Sequence, residues 1–80
     1  MSRVYYRKRL IDLRADMARE KDAKKRDNAY YADCVKRAST TSSKASYRKQ
    51  KIDRAASHDR RIETLKREIE RTREILRCCK

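Results

Sequence analysis

The sequence predicts an all-α protein: two long helices folded into an antiparallel, coiled-coil-like hairpin. Three observations point there. The 80 residues contain no glycine and no proline. These are the residues that interrupt helices, one through backbone freedom and the other through a missing N–H and a ring clash. The second half repeats apolar residues every seven positions, and one Ser/Thr-rich stretch divides the chain near its middle.

The first helix is expected over about residues 3–37, with Ser2 placed to cap its N-terminus. The stretch 38–46, Ala-Ser-Thr-Thr-Ser-Ser-Lys-Ala-Ser, reads as the loop, because Ser and Thr side chains compete with helix by bonding nearby backbone. Ser42 or Ser43 is the expected cap of a second helix over about 47–78. Without a glycine to end the first helix the break is soft. A single bent helix on the order of 110 Å is the competing arrangement at 1.5 Å per residue.

In the second half Ala55, Ile62, Ile69 and Leu76 form one seam and His58, Leu65, Thr72 and Cys79 the other. Together they make the a and d stripe of a coiled coil. Glu63 with Arg67, and Glu70 or Glu74 with Arg73 and Arg77, stand at helical spacing for ion pairs along its flanks. In the first half the seams are Leu10, Met17, Lys24, Tyr31 and Ala38, and Tyr6, Leu13, Glu20, Asp27 and Cys34. A fold-back centred near Thr41 brings Tyr6 to Leu76, Leu13 to Ile69 and Met17 to Leu65. Nearer the loop it sets Glu20 against Ile62, Lys24 against His58 and Asp27 against Ala55.

That polar layer admits two solutions. Lys24 can lay its alkyl stem on the seam and keep its ammonium in water, but a buried unpaired carboxylate costs several kcal/mol. Either the layer pairs internally, for instance Asp27 with Arg54 or Lys24, and sets the register. Or Ile52, Ala55, Ala56 and Ile62 turn their apolar stripe to another chain. Leu, Ile and Val together number only 11 and Phe is absent, a composition nearer to disordered chains than to self-sufficient domains. So thin a core favours the second solution, with the hairpin completed by self-association or a partner chain. The interface residues are then Ile52, Ala55, Ile62, Leu65, Ile69 and Leu76.

No catalytic or cofactor-binding constellation accompanies this pattern. The lone His58 and Asp59 do not share a helical face, and a phosphate cradle needs glycine. Cys34, His58, Cys78 and Cys79 lack the two-to-four-residue spacing of zinc ligand pairs, so no metal is expected. Three cysteines make no disulfide framework. No apolar run is long enough for a signal-peptide core or a membrane span, and Asp12 and Asp16 are out of place in a transit peptide. Without Trp or Phe, the apolar face is also poorly suited to lie on a membrane. A cytoplasmic location, or one within a nucleoprotein assembly, is the resulting expectation.

Charge is the strongest functional signal. Lys and Arg number 25 against 12 acids, a net charge of +13. Basic clusters occur at Arg7, Lys8 and Arg9, at Lys24, Lys25 and Arg26, at Lys36 and Arg37, at Arg48 and Lys49, and at Arg60 and Arg61. Such clusters suit the phosphates of DNA or RNA, through salt-dependent contacts that read no bases. Tyr5, Tyr30 and Tyr47 stand near them and are candidates for stacking on bases. The expected function is therefore a non-enzymatic, nucleic-acid-associated structural or assembly component. The alternative is a coiled-coil adaptor or secretion-partner protein that binds an acidic or apolar protein surface.

Overall fold

A computed structural model describes residues 2–78 and contains two helices, α1 (Arg3–Arg37) and α2 (Thr41–Cys78), packed against each other along their length. The longest dimension is 62 Å, with 14 and 13 Å across. That is about half of what one continuous helix would span, so the fold-back is real.

Each helix begins on a hydroxyl cap. Ser2 is extended, and its Oγ accepts the Tyr5 N–H at 3.2 Å. At the other end of α1, Ala38 leaves the helix in an extended conformation while its N–H still donates to the Cys34 carbonyl at 3.0 Å. No described residue has positive φ, so α1 ends without the left-handed cap that glycine usually provides. The basic residues Lys36 and Arg37 occupy its last turn, where they oppose the negative end of the helix dipole.

The loop is shorter than the composition suggested. The helix resumes at Thr41, so 41–46 is helical and only 38–40 connects the two elements. Thr40, rather than Ser42 or Ser43, is the cap: its Oγ1 accepts the Ser43 N–H at 3.0 Å and its carbonyl accepts the Lys44 N–H at 3.1 Å. Its hydroxyl also donates to Ser43 Oγ at 2.8 Å. One capping oxygen is enough to start a helix. The Ser and Thr residues that follow then sit in its opening turns, where they do not oppose it.

The core is a single line of side chains. Leu13 is 1% exposed, and Ile62 and Ile69 of α2 are buried as well. Thr72 is buried too and satisfies its hydroxyl by donating to the Glu68 carbonyl at 2.8 Å. Tyr6, Leu10, Met17, Leu65 and Leu76 are half-buried around this line. Cross-helix pairs report the register. Lys24 meets Asp59 at 2.6 Å, Arg61 meets Glu20 at 2.9 Å and Arg54 meets Asp27 at 3.2 Å. Each lies one residue from the facing position expected by folding the chain at Thr41.

The seam residues expected to face another chain are largely used within the hairpin. Ile62 and Ile69 are buried, and Ala55, Leu65 and Leu76 are half-buried against α1. Ile52, 69% exposed, and Ala56 stand clear. The reason is that the polar layer pairs internally, which lets Ile62 settle against α1 instead of facing outward.

Candidate nucleic-acid interface

Counting heptads from Leu10 and Ala55 as position a, each helix presents a and d to its neighbour, with e flanking a and g flanking d. In an antiparallel pair the two e positions share one side of the rod and the two g positions the other. The ion pairs obey this geometry. Arg9–Glu68 at 3.4 Å, Arg61–Glu20 and Arg54–Asp27 join the helices on the g side. On the e side, Lys24–Asp59 is the cross-helix pair.

The centre of the polar layer is His58, 6% exposed. Its Nδ1 lies 2.5 Å from Glu20 Oε1 and its Nε2 lies 2.5 Å from Asp27 Oδ2. Glu20 and Asp27 are seven residues apart on α1, so they sit one above the other on the facing seam and close on the imidazole from both sides. Hydrogen bonds to Asp27, then to Glu20, push the His58 pKa up against the opposing effect of burial. The same bonds hold the Glu20 and Asp27 carboxyls below their ordinary range, helped by Arg61 and Arg54 respectively. Two ionised carboxylates face the two ring nitrogens, and only an imidazolium can donate to both. Sequence reasoning gave Asp27 to Arg54 or Lys24 and missed the histidine. The available signal was one basic d residue set opposite Lys24, with an acid at the d position on either side of that lysine.

Of the cations expected to contact phosphate, Arg9, Lys24 and Arg61 are taken up in cross-helix pairs. Arg26 pairs with Asp22 at 3.6 Å and Arg37 with Asp33 at 3.1 Å on α1 itself. Arg7, Lys8, Lys25, Lys36, Arg48 and Lys49 are exposed and have no acidic partner among the described residues. Arg60 is exposed as well and donates to Ser57 Oγ at 3.2 Å. The twelve residues therefore do not act as one patch, since they are distributed around and along the rod. Arg3, Arg14, Lys21, Lys66, Arg67 and Arg71 are further exposed cations without an acidic partner among the described residues. Arg14 and Lys21 stand seven apart and Arg3 and Arg71 singly, so a search for adjacent charges passes over them, whereas Lys66 and Arg67 are neighbours in sequence.

Nine of the twelve acids are occupied. Asp16 is bound by Arg19, Glu70 by Arg73 at 3.0 Å and Glu74 by Arg77 at 3.3 Å, in addition to the pairs already described. Among the described residues Asp12, Asp53 and Glu63 lack a cationic partner. The expected Glu63–Arg67 pair does not form. Both side chains are exposed, where such a pair gains little over hydration.

The tyrosines are only partly open to bases. Tyr5 stacks edge-to-face on Tyr6, and Tyr30 on Tyr31, each with ring centroids 5.1 Å apart. A hydrogen bond with Cys34, one turn away, raises the Tyr30 pKa. Tyr47 is half-buried near the turn. Cys34 is half-buried and Cys78 exposed at the opposite end of the rod, while Cys79 lies outside the described residues. No group of histidine, cysteine and carboxylate side chains among the described residues is arranged to hold a metal ion. None of the described helices is long and apolar enough to cross a membrane. No protein-family model, no curated protein and no solved structure matches this chain.

Proposed function

We propose that this protein is a non-enzymatic, nucleic-acid-associated structural component that contacts phosphates without reading bases. The observation that carries this reading is the imbalance left after folding. Nine of the twelve carboxylates are engaged with a cation of the same chain, while many Arg and Lys side chains are exposed and without an acidic partner among the described residues. Unpaired cations on a narrow rod create a strong positive field, and binding a polyphosphate releases the counterions condensed on it. The same imbalance explains why no base readout is expected: sequence is read by side chains that reach base edges, whereas phosphate contacts only position a protein.

The adaptor reading loses support from the burial of Ile62 and Ile69 between the helices. Its apolar stripe is not presented as a continuous outer face. Fluorescence anisotropy with labelled duplex and single-stranded oligonucleotides across a salt series distinguishes the two. Phosphate binding should weaken by about 10³ or more between about 50 and 200 mM salt if six or more phosphates are contacted. Undetectable binding to both DNA and RNA at low salt would overturn the proposal.

A further inference from the structure

The unpaired charge is not spread evenly around α1. Its acids all fall at positions c, d, f and g: Asp12 and Asp33, Glu20 and Asp27, Asp22, and Asp16. The sector formed by a, e and b contains none. Along its e line stand Arg7, Arg14 and Lys21, one heptad apart, each exposed and without an acidic partner among the described residues. Seven residues of helix rise about 10.5 Å, so the three cations form a straight ladder spanning about 21 Å. Across the groove, α2 contributes exposed Lys66 at its own e position, and Asp59 there is already held by Lys24. The opposite side of the rod carries the clamp and three cross-helix pairs, so it is the neutralised side.

Resting on the function proposed above, we infer that the flank built from Arg7, Arg14, Lys21 and Lys66 is the docking face. Its occupant is the phosphate backbone of a double-stranded nucleic acid. The distribution of aromatic rings selects the duplex. Proteins that hold single strands combine a basic groove with rings on which bases stack. Here Tyr5, Tyr6, Tyr30 and Tyr47 lie at c, d, g and g, away from the ladder, and Tyr31 at position a is half-buried close to the turn. A rigid row of charges without stacking platforms suits a stiff, regularly charged duplex better than a flexible strand. Each step of the ladder passes roughly three phosphates of one strand, measured along the duplex axis.

The test compares two double variants of the full chain. Arg14→Gln with Lys21→Gln removes two charges from the ladder. Arg67→Gln with Arg71→Gln removes two from positions f and c of α2, which are likewise exposed and without an acidic partner among the described residues. Glutamine is a good helix former, and thermal melting followed by circular dichroism checks that both variants keep the hairpin. The ladder variant should bind a duplex at least about tenfold more weakly at low salt, with a salt slope lower by about two. The outer-face variant should change affinity less than about threefold. Equal loss in both variants overturns the assignment of the face and leaves the general phosphate reading standing. Equal or tighter wild-type affinity for a single strand than for the duplex overturns the choice of duplex. If the wild type binds poly-glutamate but no nucleic acid, both the face's assigned occupant and the function proposed above are wrong.

Discussion

Across the hairpin, His58 Nε2 lies 2.5 Å from Asp27 Oδ2. With Glu20 on the other ring nitrogen, this contact makes the imidazolium a bolt between the helices, and it ties stability to pH. His58 has a raised pKa, so its contribution is complete below its ordinary value of 6.5 and is lost as pH climbs through the raised value. Glu20 and Asp27 have lowered values, so their contribution is complete above the ordinary 4.5 and 3.8 and is lost as pH falls through the lowered ones. The unfolding midpoint should therefore be highest between pH 4.5 and 6.5. The decline on the alkaline side should disappear in His58→Gln. A midpoint that rises steadily from acid to alkaline pH in the wild type contradicts the clamp.

Leu13 and Ile52 make opposite predictions. Leu13 is enclosed on all sides, so Leu13→Ala should cost about 2–5 kcal/mol, enough to unfold a domain with so thin a core. Ile52 stands 69% exposed, and Ile52→Ala should change stability by less than about 0.5 kcal/mol. Chemical denaturation of the two variants checks both. A large loss at Ile52 would indicate that this residue is covered in solution.

The cap at Thr40 has a local signature. Thr40→Ala should destabilise the protein by about 0.5–2 kcal/mol. Ser42→Ala should be near neutral, because the Ser42 side chain makes no capping bond. The reverse order would restore the longer loop that the composition suggested.

Cysteine chemistry tests the antiparallel arrangement without any substitution. Cys34 lies near the turn and Cys78 at the free ends, about 45 Å apart by helix rise. A disulfide needs α-carbons within about 7 Å. Mild oxidation followed by peptide mapping should yield no Cys34–Cys78 bond within one chain. Finding it there would contradict the hairpin.

The fold was legible because helix breakers are absent and heptads persist through α2. The register was legible because the apolar residues of the two halves match near the free ends, as Leu13 and Ile69 do. What escaped was polar and local. Ser and Thr signal loops by composition, yet Thr40 alone carries the cap and turns its neighbours into helix. His58 was placed on a seam, but its two carboxylate partners come from the other helix and become neighbours only once the register is set. Arg14 and Lys21 escaped because the eye follows adjacent charges such as Arg7, Lys8 and Arg9, whereas a helix aligns charges seven apart.

The most direct measurement of how this rod meets nucleic acid is a nuclear magnetic resonance titration. The ¹⁵N-labelled protein is mixed with a short duplex at low salt, and the affected amides are mapped onto the two sides of the hairpin. The account predicts that shifts concentrate around Arg7, Arg14, Lys21 and Lys66, leaving the surroundings of Arg9, Arg54 and Arg61 little changed. Shifts centred on Arg9, Arg54 and Arg61, or distributed evenly around both helices, would contradict it.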